Sequence, residues 1–135
     1  MMGLLDNAFA VGEGQMGALC FGWRQTDDTK YDRGRFSFAL ELPRGYDFLG
    51  SSFARKTERT PAADGGSRID LSFEPSYDGK ARRDYGPFKY LGVAVRAQRG
   101  AQRGAATFRV LYDGREVADP VTFDLCTVPS VTENT

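Results

Sequence analysis

The chain has 135 residues, in which 18 lysines and arginines balance 18 aspartates and glutamates, and it contains no histidine. This length fits one domain with a single hydrophobic core, and 41% hydrophobic with 27% charged residues is typical of a globular protein rather than a disordered or fibrous one. The absence of histidine excludes every mechanism in which an imidazole of this chain acts as a base, a proton shuttle or a metal ligand.

The N-terminal residues predict an arm rather than a strand. Gly12 and Gly14 would end a short helix with four apolar residues on one side, namely Leu4, Leu5, Ala8 and Phe9. Two helical turns are not stable alone, so we expect residues 1–14 to dock on the domain or on a neighbouring chain. Residues 15–135 are expected to form one folded domain.

From Met16 onward the apolar residues recur with the period of two that indicates β-strands. The first of these segments, Met16–Arg24, is apolar on both faces, which predicts a central, covered strand. The other predicted strands cover residues 35–42, 46–53, 68–74, 89–97, 106–112, 115–117 and 121–125. The polar segments between them are predicted loops, at residues 25–34, 54–67 and 75–87.

The strongest turn signal is Asp113-Gly114, because both central residues of a type I′ hairpin turn need positive φ. Asp119-Pro120 is expected to interrupt the pairing of the strand that returns from this turn. Seven or eight short strands and no long helix predict an all-β fold. We expect a single antiparallel β-sandwich or small jelly-roll-like barrel, preceded by the short N-terminal arm.

Two features of the sequence bear on its location. The first residues lack the basic start of a secretory signal, and the longest apolar stretch is far below the ~20 residues that cross a bilayer. We therefore expect a protein made and kept in the cytoplasm, with no membrane contact. In that compartment Cys20 and Cys126 are expected to be free, buried thiols, and a bridge between the first and last strands is the alternative.

Charge is distributed unevenly along this neutral chain. Residues 80–115 contain nine basic and two acidic residues, a net charge of +7, so the remainder carries −7. The tandem Ala-Gln-Arg-Gly at 97–100 and 101–104 predicts a loop that carries Arg99 and Arg103, which Arg82 and Arg83 would extend into a basic patch. The alternatives are a solvated hairpin loop and a nucleic-acid contact, and the neutral total charge disfavours the latter.

Other candidate sites are weaker. One polar loop holds three acids whose spacing matches no EF-hand, so a calcium site competes with a solvated turn: Asp27, Asp28 and Asp32. Trp23 is expected in the core, although with the loop tyrosines 31, 46, 77, 85 and 90 it could form a sugar-stacking surface. No carboxylate pair, phosphate loop or nucleophile elbow stands out, so we expect no enzyme, cofactor or metal.

These observations predict a structural, assembly-forming protein that acts through protein–protein contacts. The expected role is a virion or similar particle component, such as a capsid decoration protein or a head or tail accessory protein. The expected interface residues are Leu4, Leu5, Phe9, Arg82, Arg83, Arg99 and Arg103. A carbohydrate-binding or lectin-like module is the alternative.

Overall fold

The computed structural model describes residues 8–24, 36–52, 56–72 and 88–129. In these ranges all regular secondary structure is β-strand. The strands are β1 (Ala8–Gly12), β2 (Met16–Arg24), β3 (Phe36–Leu42), β4 (Tyr46–Ser51), β5 (Lys56–Pro61), β6 (Ser67–Ser72), β7 (Phe88–Ala97), β8 (Gly104–Tyr112), β9 (Arg115–Glu116) and β10 (Val121–Val128).

The strands form two sheets that pack face to face. The larger sheet has the order β1-β10-β8-β3-β6-β5, with β9 also paired to β8, and the smaller sheet has the order β2-β7-β4. Among the described strands all pairs are antiparallel except β1 and β10, which run parallel. The all-β sandwich prediction is confirmed, and the barrel alternative is wrong because the sheets remain separate.

The core lies between the inner faces of the two sheets. Alternate residues of each central strand point inward, so that Phe38 and Leu40 of β3 face Val93 and Val95 of β7, and all four are buried. The core residues of each central strand are therefore the apolar residues that recur at every second position of the sequence.

The expected helix in the N-terminal arm is wrong for residues 8–12, which form β1 instead. This strand pairs in parallel with β10, with Phe9 opposite Leu125 and Val11 opposite Thr127. Backbone pairing with β10 and burial of Val11 stabilise an extended conformation that the local apolar spacing does not reveal.

The prediction that Met16–Arg24 is a central, covered strand is also wrong. In the described part of the chain β2 pairs only with β7, at the edge of the smaller sheet. Its inner face buries Leu19 and Phe21, whereas its outer face is exposed, and Met16 is 64% exposed. Cys20 is consequently exposed rather than buried; it and the half-buried Cys126 are both free thiols.

The predicted loop 54–67 contains a strand that the sequence pattern hides. Lys56–Pro61 forms β5, which pairs with β6 along its whole length although all six of its residues are exposed. An edge strand with no buried face lacks the apolar alternation that identifies other strands. The predicted loops 25–34 and 75–87 lie outside the described residues.

The hairpin prediction at Asp113-Gly114 is confirmed. Asp113 has φ of 50° and Gly114 has φ of 83°, as a type I′ turn requires. The returning chain pairs with β8 as β9, leaves the sheet after Val117 and pairs with β8 again as β10. The predicted interruption before Val121 is therefore present.

Candidate functional site

Three connections between the sheets meet at one end of the sandwich. They follow β1, β3 and β7, and the third consists of residues 98–103, which we call the arginine loop because it carries Arg99 and Arg103. Its Gln98 N–H donates to Gly45 O at 2.8 Å in the connection after β3. The arginine loop therefore joins two sheets and is not a hairpin tip.

Side chains from three other elements fix the arginine loop. The Tyr46 hydroxyl donates to Gln102 O at 3.0 Å, and the Thr127 hydroxyl donates to Ala101 O at 3.2 Å. The Glu13 carboxylate accepts from Gly100 N–H at 2.9 Å. Burial, with a smaller contribution from the charge of Cys126, raises the pKa of Tyr46 above its usual value, so this hydroxyl keeps its proton.

Arginines of the loop and of the neighbouring turn line an open cavity of about 590 Å³. Arg103 pairs with Asp124, with Nε 2.7 Å from Oδ2. Arg44 and Arg99 line the same cavity and make no hydrogen bond or ion pair with the rest of the described chain. Arg44 is not predicted as a site residue: Pro43 and Gly45 place it in a turn between the predicted strands 35–42 and 46–53, but no signal in the sequence places this turn beside the repeat.

The outer face of the larger sheet is covered by ion pairs. Arg109 bridges Glu41 at 3.2 Å and Glu116 at 2.6 Å, while Arg68 bridges Asp70 at 3.2 Å and Glu41 at 3.8 Å. Hydrogen bonds to the two glutamates, that to Glu116 first, raise the pKa of Arg109 further above its usual value. This face is a charged surface whose groups compensate one another.

A different surface surrounds the outer edge of β2, which has no strand neighbour in the described part of the chain. Small and apolar side chains occupy its outer face, and an apolar cleft of about 420 Å³ opens beside it between the two sheets. Phe9, 41% exposed, and Val121, 53% exposed, line this cleft. The ring of Phe9 packs edge-on against Phe123, with centroids 5.3 Å apart. We call the cleft and the adjacent edge of β2 the β2 flank.

The predicted interface residues thus divide between two places. Arg99 and Arg103 lie together in the arginine loop, and Phe9 lies on the β2 flank. The remaining predicted interface residues fall outside the described ranges: Leu4, Leu5, Arg82 and Arg83.

The other candidate sites receive little support from the residues that can be placed. Tyr46 is buried, so it offers no open ring to a sugar. Tyr31, Tyr77 and Tyr85, the side chains of Trp23 and Tyr90, and the acids Asp27, Asp28 and Asp32 lie outside the description. In the four described ranges no group of three acidic or cysteine side chains could hold a metal ion, and no helix could span a membrane.

The comparisons with known proteins provide no family for this chain: no family model and no curated protein matches it.

Proposed function

We propose that this chain is a structural protein that assembles with further copies of itself through protein–protein contacts. Its proposed role is a component of a virion or similar particle, as a capsid decoration protein or a head or tail accessory protein. The observation that carries the proposal is the difference between the outer edge of β2, which is unpaired within the described chain, and the other edge strands, namely the five-residue β1 and the protected β4 and β5.

Sheet edges present unpaired backbone groups, and proteins that must stay monomeric usually block them with charges, proline or short strands. β5 carries Lys56, Glu58, Arg59 and Pro61 on an edge strand that is exposed throughout. The edge of β4 is blocked in a different way, because the Arg59 guanidinium donates a hydrogen bond to the backbone carbonyl oxygen of Phe48 in β4. Both of these edges are therefore protected against a further strand.

Within the described chain, β2 lacks these protections from Met16 to Gly22. It is nine residues long, has no proline, and has no charged residue before Arg24. In the described part of the chain nothing pairs with its outer edge. Such a strand is a template for another chain to add to the sheet.

The occupant proposed for this edge is the β2 strand of a second copy. A two-fold axis pairs the same patch on both subunits, and antiparallel pairing of Met16–Trp23 with itself brings no like charges together. The pairing would join two three-stranded sheets into one sheet of six strands. The apolar cleft of the β2 flank would then lie next to the new contact and add apolar area to it.

The beginning of β1 borders the same contact, since Ala8, the first described residue, lines the cleft of the β2 flank. In the proposed assembly Leu4, Leu5 and Phe9 bury apolar surface on the adjacent chain.

The test is the mass of the protein in solution by size-exclusion chromatography with light scattering. Met16→Lys places a charge on β2, and Leu49→Lys is the matched control, since Leu49 is an exposed apolar residue, 44% exposed, on the opposite edge strand β4. We expect a dimer or larger species for the original chain and the Leu49 variant, and a monomer for the Met16 variant. A monomeric original chain at every concentration tested would overturn the proposal.

A further inference from the structure

We infer that the two copies in the proposed assembly pair along the whole of β2, with the two-fold axis at Cys20. This inference rests on the proposed function, because it specifies the register of the β2–β2 contact proposed there. The register determines which residue of one copy lies opposite which residue of the other. It can therefore be tested separately from the mass of the assembly.

The pairing of β2 with β7 determines which backbone groups of β2 point to its outer edge. Ala97 N–H donates to Gln15 O at 3.1 Å, one position before the opposite pair of Met16 and Arg96. Hydrogen-bonded and non-hydrogen-bonded pairs alternate along an antiparallel ladder, so every second residue of β2 turns its N–H and C=O away from β7. These outward-facing residues are Met16, Ala18, Cys20, Gly22 and Arg24. Their edge has no strand neighbour in the described part of the chain.

The positions of the outward-facing residues restrict the register of an antiparallel β2–β2 pair. Hydrogen bonds form only where an outward-facing residue of one copy lies opposite an outward-facing residue of the other. A register that uses all nine residues of β2 has its midpoint at Cys20, which is itself outward-facing. The two Cys20 residues then lie opposite each other, and Ala18 lies opposite Gly22. This register forms about ten hydrogen bonds between the copies, two for each hydrogen-bonded pair, which is typical of a protein interface.

The side chains on both faces of β2 fit this register. On the outer face the central positions carry small, exposed residues, namely Ala18, Cys20 and Gly22. On the inner face the register places Leu19 of one copy opposite Phe21 of the other, and both belong to the core. Apolar and aromatic residues opposite each other on neighbouring strands stabilise a sheet. A register with its axis at Leu19 would instead place Phe21 opposite Gly17 and leave the last two residues of β2 unpaired.

The exposed apolar surface of the molecule is concentrated beside the same axis. Of the five large apolar residues that are exposed in the described chain, three lie on the β2 flank, namely Phe9, Met16 and Val121. A two-fold axis perpendicular to the joined sheet keeps the inner faces of both copies on one side. The two apolar clefts, each lined by Cys20 and Gly22, then open towards each other across the axis.

The experiment is disulfide cross-linking of the full chain, in which Cys126→Ser leaves Cys20 as the one cysteine. Opposite residues of a hydrogen-bonded pair have Cα atoms about 5.5 Å apart, within the range of about 4.4–6.8 Å that a disulfide bridges. Oxidised glutathione is the oxidant: two Cys20 thiols form one disulfide while one glutathione disulfide is reduced to two thiols. We expect a covalent dimer on non-reducing gels and by intact mass.

The matched control moves the thiol by two residues on the same exposed face of β2. It combines Cys126→Ser, Cys20→Ser and Ala18→Cys. In the inferred register the two introduced thiols are about 14 Å apart along the strands, so we expect at least about tenfold slower cross-linking. The equivalent variant with Gly22→Cys should also cross-link slowly alone. A mixture of the Ala18→Cys and Gly22→Cys variants should form the mixed covalent dimer, because these positions lie opposite each other.

Light scattering on the same samples separates this inference from the proposed function. A chain that is monomeric at every concentration would overturn the proposed function and the register with it. A dimer in which Cys20 cross-links no faster than the Ala18→Cys control would overturn the register alone. Preferential cross-linking of the Ala18→Cys variant with the chain that retains Cys20 would also overturn it, because these positions are opposite only when the axis lies at Leu19.

Discussion

The rings of Phe21 and Phe108 are stacked, with centroids 4.0 Å apart and an interplanar angle of 1°. Phe21 lies on β2 of the smaller sheet and Phe108 on β8 of the larger sheet, so the pair joins an edge strand to the centre of the opposite sheet. Phe108 also stacks on Phe38 of β3, with centroids 5.5 Å apart. These rings hold β2, which has a strand neighbour on one side only within the described chain, in its place.

Replacement of Phe108 by alanine should therefore be strongly destabilising. Phe108 is buried, and truncation of a buried phenylalanine usually costs about 3–5 kcal/mol because both apolar burial and packing are lost. We expect the Phe108→Ala variant to lose this much free energy of unfolding in urea titrations. Leu49→Ala, at an exposed position, should lose less than about 1 kcal/mol. Equal losses of unfolding free energy in the two variants would show that the stacked ring of Phe108 contributes no more to stability than an exposed leucine side chain.

Gly45 should tolerate no side chain, for two separable reasons. Its φ is +96°, which costs an L-residue about 1–2 kcal/mol, and an added Cβ would lie 2.8 Å from Cβ of Ala101. We expect Gly45→Ala to lower the free energy of unfolding by about 2–4 kcal/mol, the sum of strain and overpacking.

A double-mutant cycle separates the two contributions at Gly45. Ala101→Gly removes the methyl group that the new Cβ would meet, so in that background only the backbone strain should remain. A cost that is identical in both backgrounds would contradict the close approach of Gly45 and Ala101.

Local signals explain which parts of the fold the sequence predicts correctly. The turn at Asp113-Gly114 depends on two adjacent residues and their φ preferences, and alternation within β3 and β8 depends only on each strand itself. The sequence does not predict β1 and β5, because neither strand carries such a local signal. β1 depends on backbone pairing with β10 at the other end of the chain, and β5 buries no side chain that would produce a pattern.

The sequence likewise predicts only part of the candidate site. The repeat locates Arg99 and Arg103 in a loop, because its Gly and Gln residues interrupt two apolar strands. The residues that fix the loop come from distant parts of the sequence: Glu13 is 87 positions before Gly100, and Tyr46 is 56 positions before Gln102. One sequence offers no signal for such pairs, and Arg44 joins the site only through the topology that creates them.

The turn at Asp113-Gly114 provides a second test of backbone strain, after the one at Gly45. Gly114 has φ of 83° with open space around the position of a Cβ, so Gly114→Ala adds strain without a clash. We expect a loss of about 1–2 kcal/mol in the free energy of unfolding by urea. Asp113→Asn should be neutral within about 0.5 kcal/mol, since asparagine also adopts positive φ readily. A neutral Gly114→Ala variant would contradict the type I′ geometry.

The stability of the arginine loop should depend on pH through Tyr46. Burial raises the pKa of this hydroxyl above its usual value of about 10, and the hydroxyl donates to Gln102 O at 3.0 Å. Above pH 10 the unfolded chain releases the proton while the folded chain retains it. The folded state then binds more protons, so its stability falls as pH rises from about 10 through the folded pKa.

Tyr46→Phe isolates this effect, because subtraction of the variant from the original chain cancels the other titrating groups. Below pH 10 the original chain should be more stable by about 1 kcal/mol, the usual contribution of one hydrogen bond. Urea unfolding between pH 8 and 11 should show this difference shrinking above pH 10. Thr127→Val is the control, since it removes the hydroxyl that donates to Ala101 O at 3.2 Å and has no proton to titrate in this range. Its stability difference from the original chain should stay constant with pH, and a constant difference for Tyr46→Phe as well would show that Tyr46 does not link the loop to pH.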